Sequence, residues 1–332
     1  MIKLPHYLLI IIFLASTLIN VAEAKQVTFK NGDDLLSGHY LFPDSGKPRA
    51  VILFVHGDGP LGYDAHGYYP LIWERLLSKG FAIFSWDKPG IGESTGNWLA
   101  QSMKQRQQEV QSAVTFIRDS YGYSGSQVGL LGFSQAGWVV PALANNNPDI
   151  GFIIGVGFAI DWLEQSWYLT RVRLTQQEAD SSVVEAAYAS HLEEINFLNQ
   201  EPSYDLYLKK YGHTPDPMSE ARYQFVLKNF KADATHDYTG LKQPMLLLLG
   251  DKDLNVDIFN TKEVVENLID DQQSIQISVI KDATHGMLDA EHFNEQSPGL
   301  VFLLKLMWKG ERAVAPEFYI KLDEWLSFRI SG

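Results

Sequence analysis

Six short apolar runs, separated by stretches with helical periodicity, constrain this chain more than any other feature. They fall at residues 50–55, 81–86, 128–131, 150–156, 245–249 and 275–280. Runs this short, bounded by turn residues, suit strands buried on both faces rather than helices. Between them, residues 101–119 place Met103, Val110, Val114 and Ile117 on one helical face, and 135–144, 261–269 and 317–328 also read as helices. Buried strands alternating with helices require an α/β architecture, a mostly parallel central sheet flanked by helices. Two further strands, 26–30 and 35–41, precede it and flank Asn31-Gly32, a hairpin turn. In such sheets the chemistry gathers at the carboxyl ends of the strands.

One interval breaks the alternation. Residues 159–238 hold no convincing buried strand, are rich in helix formers and carry Trp162, Trp167, Tyr168, Phe197, Tyr204, Tyr207, Tyr211 and Phe225. So long a stretch inside a compact domain needs structure of its own. It is expected to be a helical cap inserted into a core formed by 25–158 and 239–332. The pattern assigns no element to 290–316, although 300–304 is apolar.

Residues 1–24 read as a cleavable leader. Lys3 precedes an apolar run over 8–19, and Val21-Ala22-Glu23-Ala24 offers small residues at the positions a signal peptidase reads. The run is shorter than the ~20 residues of a spanning helix. A periplasmic or secreted protein without a stable membrane anchor is therefore expected. The absence of cysteine excludes disulfides, a thiol nucleophile, thiolate metal ligands and a lipid-modified cysteine at the cleavage site. A net charge of −13 with no basic cluster argues against nucleic acid as a partner.

The chemistry centres on Leu130-Leu131-Gly132-Phe133-Ser134-Gln135-Ala136-Gly137. A serine hydroxyl attacks an acyl carbon only when it projects into a cleft and a base takes its proton. A sharp strand-to-helix turn gives that projection if the flanking residues are small. Gly132 and Ala136 are those residues, with alanine where glycine is usual. A serine that merely caps a helix gives the same local pattern, so the reading depends on partners elsewhere.

Three segments supply them. Phe54-Val55-His56-Gly57-Asp58-Gly59-Pro60 follows a buried run and can present a backbone N–H to the oxyanion that acyl transfer creates. Asp58 is expected to give that N–H, with Gly57 and Gly59 as alternatives, and Gln135 the second one. His56 suits a brace for the turn better than a base. Within Leu249-Gly250-Asp251-Lys252-Asp253-Leu254-Asn255-Val256, Asp253 is expected to orient a histidine. Asp251, which suits an Asx turn, and Asp257 are the alternatives. His285, in Lys281-Asp282-Ala283-Thr284-His285-Gly286-Met287, is the expected base. Serine, aspartate and histidine in that order, each behind a core strand, follow the chain order of the α/β-hydrolase fold. Trp86-Asp87-Lys88-Pro89-Gly90-Ile91-Gly92-Glu93-Ser94 reads as a tight turn near the site mouth rather than a phosphate loop, and no H-E-x-x-H metal spacing occurs.

Across nearly the whole chain after the leader, these motifs resemble the α/β-hydrolase superfamily. The resemblance is to secreted or periplasmic esterases and to the serine aminopeptidase-like and prolyl-oligopeptidase-like branches, on the HGDG turn, the Asp87-to-Ser94 loop and the elbow around Ser134. It implies a triad of Ser134, His285 and Asp253 that needs no cofactor or metal. The expected substrates are small or medium acyl esters, with Trp162, Trp167 and Tyr168 as candidates to line their pocket unless these aromatics form the cap's own core. Short peptides, with an α-amine held by acidic cap residues such as Glu164, Glu193 or Glu194, are the alternative. A catalytically silent binding protein is the third reading.

Overall fold

The computed structural model of the chain describes residues 24–43, 46–269, 274–296 and 299–330. The expected leader lies, but for Ala24, outside the described residues. Strands β1 (Lys25–Asn31) and β2 (Asp34–Leu41) form the opening hairpin. The core strands are β3 (Ala50–Val55), β4 (Phe81–Trp86), β5 (Val128–Phe133), β6 (Phe152–Val156), β7 (Met245–Gly250) and β8 (Ile275–Ile280). All eight join one sheet in the order β1-β2-β4-β3-β5-β6-β7-β8. From β4 to β8 every pairing is parallel, and β2 meets β4 antiparallel.

Each central strand feeds two cores, which explains its unbroken apolar run. On β3, Val51, Leu53 and Val55 face one core while Ile52 and Phe54 face the other. On β7, Met245, Leu247 and Leu249 alternate in the same way with Leu246 and Leu248. The first core is closed by helices α2 (Met103–Tyr121), α3 (Val140–Ala144) and α8 (Ile258–Leu268). Helices α1 (Pro70–Ser78) and α11 (Pro316–Ile330) close the second. Strand β8 has a neighbour only in β7, and its residues are correspondingly half-exposed.

Between β6 and β7, over the interval expected as a cap, stand α4 (Trp162–Gln176), α5 (Ser181–Leu198), α6 (Tyr204–Tyr211) and α7 (Glu220–Asn229). Asp161, Ser203 and Ser219 cap three of these with side-chain oxygens, each worth about 1 kcal/mol. Their aromatics build a small core in which Tyr207, Tyr223, Leu198 and Phe230 are buried.

Three elements depart from the sequence pattern. The helix expected over 135–144 divides into a tight turn, Ser134–Trp138, and α3. Pro141 supplies no N–H to continue a ladder through that point. The strand expected from residue 150 starts at Phe152, after Gly151, where a Cβ would stand 2.5 Å from the Ser126 carbonyl oxygen. The unassigned 290–316 segment holds α9 (Ala290–Phe293) and α10 (Leu300–Lys309). Helix α10 buries Leu306 yet exposes Leu300, Leu304, Met307 and Trp308, so it lacks the polar face that marks a helix in sequence. No described helix is long and apolar enough to cross a membrane.

Candidate active site

Strand β5 ends in extended backbone at Phe133, and Ser134 then turns to φ +50°. A non-glycine residue there costs about 1–2 kcal/mol, a strain that structures keep where a side chain must be aimed. Small neighbours permit the turn. A Cβ on Gly132 would stand 2.9 Å from the Ala136 Cβ, and one on Gly137 would stand 2.9 Å from the Ala159 carbonyl oxygen. Ala136 is fully buried, so it fits because Gly132 leaves the space. Ser134 is half-buried, and its hydroxyl makes no hydrogen bond to any described residue.

Asp253 and His285 meet across the ends of β7 and β8, with His285 Nδ1 2.7 Å from Asp253 Oδ2. The second carboxylate oxygen accepts the Asn255 and Val256 N–H groups at 2.7 and 2.9 Å, which fixes its orientation. Gly250 lets the two loops close, since a Cβ there would lie 2.4 Å from the carbonyl oxygens of Ala283 and Thr284. Burial disfavours the charged imidazole, but the charge and hydrogen bond of Asp253 outweigh it. His285 therefore titrates above its ordinary 6.5. The alternatives are engaged elsewhere: Asp251 pairs with Lys252 at 3.0 Å, and Asp257 caps α8 while meeting Arg171 at 2.9 Å.

Gly157 brings the serine and histidine to one place. Phe133 pairs with Val156 in the parallel register, so Gly157 follows beside Ser134. It sits at φ +59°, and a Cβ there would be 2.9 Å from the His285 ring. Tyr68, which the sequence reading misses, ties the two together from another side. Its ring meets Phe133 edge-on at 5.6 Å, and its hydroxyl donates to the Gly286 carbonyl at 2.5 Å. No motif marks that tyrosine.

The turn from His56 to Gly59 lies against the serine, where a Cβ on Gly57 would be 3.4 Å from the Ser134 Cβ. Gln135 is the second residue of the turn that begins at Ser134, so its N–H lacks an acceptor within that turn. The Asp58 N–H likewise has no acceptor among the described residues. Burial, then the nearby Lys88, pushes His56 down to about 3, and its ring nitrogens meet the Tyr69 hydroxyl at 3.1 Å and the Trp86 carbonyl at 2.5 Å. It is a neutral brace. The Asp58 carboxylate receives two hydrogen bonds from Arg222 of α7, at 3.0 and 2.7 Å, which join the inserted helices to this turn. Burial raises the Asp58 pKa, Arg222 more than reverses that, and the carboxyl ends below its ordinary value.

Two buried basic side chains near the turn, Lys88 and Arg106, receive no role from the sequence, although Lys88 stands in the Trp86-to-Ser94 loop. Arg106 carries a signal: with Met103 and Val110 it falls on the buried stripe of α2, a charge where the pattern demands an apolar residue. Nothing in the loop around Lys88 marks that side chain for burial. As for metal ligands, Asp289, Glu291 and His292 place ligand atoms within 4.8 Å of one another, but Asp289 is occupied as the cap of α9.

Residues 46–292 match the family model described as serine aminopeptidase, S33. The chain belongs to this family of α/β hydrolases. Three solved structures share the fold of the S33 chain. An esterase of Pyrococcus furiosus matches with a TM-score of 0.58 at 16% identity, over 93% of this chain and 91% of its own. A proline iminopeptidase of Mycobacterium smegmatis gives 0.59 at 15%, over 92% and 99%. The mouse α/β hydrolase domain-containing protein 10 gives 0.52 at 18%, over 92% and 99%. No curated protein matches the sequence.

In this S33 family member a cavity of about 570 Å³ lies between α4, α5 and the start of α8. Trp167 and Tyr168 line it with Glu164, Tyr188 and His191, whereas neither Ser134 nor His285 does. Tyr168 links the cavity to the loop that carries Asp253, its hydroxyl donating to the Asp253 carbonyl at 2.8 Å. Trp162 is instead taken up in packing, stacked on Trp138 of the elbow turn at 5.0 Å. Of the three acidic residues singled out in the sequence, Glu164 lines the cavity, Glu193 pairs with Lys210 at 2.7 Å, and burial raises the pKa of Glu194.

Proposed function

We propose that this protein hydrolyses carboxylic esters of small or medium acyl chains through Ser134, His285 and Asp253. The observation that carries the reading is the 2.7 Å contact between His285 and Asp253 beside a serine held at positive φ. With Asp253 on Nδ1, the Nε2 of the neutral imidazole is left to accept the Ser134 proton. The serine oxygen then bonds the acyl carbon while the Asp58 and Gln135 N–H groups receive the oxyanion. His285 returns the proton to the departing alcohol oxygen as the carbon–oxygen bond breaks. Water, deprotonated by the same nitrogen, opens the acyl-enzyme and releases the acid. The missing serine–histidine hydrogen bond fits a resting site, where such contacts tighten only with substrate.

Esters are favoured by the aromatic wall of the cavity, where Trp167, Tyr168 and Tyr188 offer apolar surface to an acyl chain. Asp161, Glu164, Glu185 and Asp257 also line it, and they and the family description support an aminopeptidase as the second reading. A panel of p-nitrophenyl esters of rising chain length, run beside aminoacyl-anilides, separates them. Ester turnover without anilide turnover is expected; the reverse overturns the esterase reading.

The base must be neutral to act, so kcat/KM for a neutral ester is expected to rise with pH through the His285 titration. Because Asp253 lifts that titration, the midpoint of the acid limb should fall above pH 6.5. A midpoint below 6.5 would contradict the assignment of His285 as the base.

A further inference from the structure

The backbone of the turn beside Ser134 is held from behind by two buried side chains. Lys88 Nζ donates to the carbonyl oxygens of Gly57 at 2.6 Å and Gly59 at 2.9 Å. Arg106 Nη2 donates to the His56 carbonyl at 2.5 Å, and its Nη1 donates to the Gln135 side-chain oxygen at 2.6 Å. Lys88 is 2% exposed and Arg106 4%, and the Trp98 ring closes over the lysine at 5.0 Å. Among the described residues neither side chain has a carboxylate as hydrogen-bond partner. Glu109 is spent on Trp86 Nε1 and Gln101 Nε2 at 2.7 and 2.6 Å, and Asp58 on Arg222. Burying such groups is costly, and here they bind only main-chain and amide oxygens.

The geometry of the peptide unit says what this accomplishes. In a trans peptide the carbonyl of one residue points opposite to the N–H of the next, and the chain has no cis bonds among the described residues. Fixing the Gly57 carbonyl on Lys88 therefore turns the Asp58 N–H the other way. Fixing the His56 carbonyl on Arg106 does the same for the Gly57 N–H. Arg106 at the same time holds the side chain of Gln135, whose N–H is the second proposed donor.

We infer that Lys88 and Arg106 are positioning residues for oxyanion binding, holding the donor peptides aimed at the site before substrate arrives. This rests on the hydrolase reading above. The role of Lys88 needs two N–H donors and not a net charge, so it survives the strong lowering of its titration by burial and by Arg106. Pre-aimed donors stabilise the tetrahedral state more than the planar ester.

The test is Lys88→Met, with Lys88→Gln as the second variant because it keeps one donor if the methionine protein does not fold. Folded Lys88→Met is expected to lose about 100- to 1000-fold in kcat, with KM changed less than about threefold and the affinity for a trifluoromethyl ketone falling in step with kcat. Lys88→Gln should fall between it and wild type. A merely structural lysine would instead lower the folded fraction and leave the kcat of the folded enzyme and the ketone affinity alone, and that result overturns the inference. Wild-type protein that neither turns over ester or anilide nor takes a fluorophosphonate would refute the hydrolase reading itself. Active, labelled wild type with an undiminished Lys88→Met refutes only the positioning role.

Discussion

Ser134→Ala is expected to lower kcat toward a p-nitrophenyl ester by about 10⁴- to 10⁶-fold. The bond that forms in the first half-reaction is to the serine oxygen, and no second nucleophile stands at the same turn. What remains should be the small acceleration that oxyanion donors and binding give without a nucleophile. The loss should come without unfolding. The Ser134 hydroxyl makes no hydrogen bond to any described residue, and alanine inherits the same φ of +50° at the same cost. Thermal unfolding of the variant should therefore match wild type to within a few degrees. Steady-state kinetics with a melting curve on the same sample checks both halves. Activity within tenfold of wild type would remove Ser134 from the chemistry.

Asp253→Asn is expected to cost about 10⁴-fold in kcat, by a different route. The asparagine oxygen can still accept the Asn255 and Val256 N–H groups that now fix the carboxylate. Its amide nitrogen would then face His285 Nδ1 and force that nitrogen to accept. The ring proton moves to Nε2, toward Ser134, and the imidazole can no longer act as a base. The pH profile should move as well. Burial lowers the His285 titration and Asp253 raises it, so removing the carboxylate leaves burial unopposed. The acid limb of the residual kcat/KM should shift to lower pH. A loss under tenfold, or an acid limb that does not move, would show that Asp253 does not govern His285.

The buried strands and the elbow pattern at Ser134 are legible in the sequence because both are local, and Asp253 and His285 are picked out as residues behind core strands. A strand between two cores reads as an apolar run, and a glycine-flanked serine reads as an elbow. Legibility ends where no local pattern marks a residue. Lys88 lies 31 residues from the Gly57 carbonyl it holds and Tyr68 lies 218 from the Gly286 carbonyl; nothing in either neighbourhood announces the partner. Arg106 is the intermediate case, an out-of-place charge on the apolar stripe of α2. Helix α10 hides for the opposite reason, since its exposed apolar residues imitate a buried segment. The aromatics of the inserted helices illustrate a further limit. Sequence alone does not separate Trp162, which packs on Trp138, from Trp167 five residues later, which lines the cavity.

The central claim, that Ser134 is an activated nucleophile, is tested most directly by a fluorophosphonate probe and peptide mapping. Wild type should take up one probe per chain, on the peptide carrying Ser134, and lose ester hydrolysis in proportion, while Ser134→Ala stays unlabelled. Labelling that maps to another residue, or active wild-type enzyme that resists the probe, would contradict it.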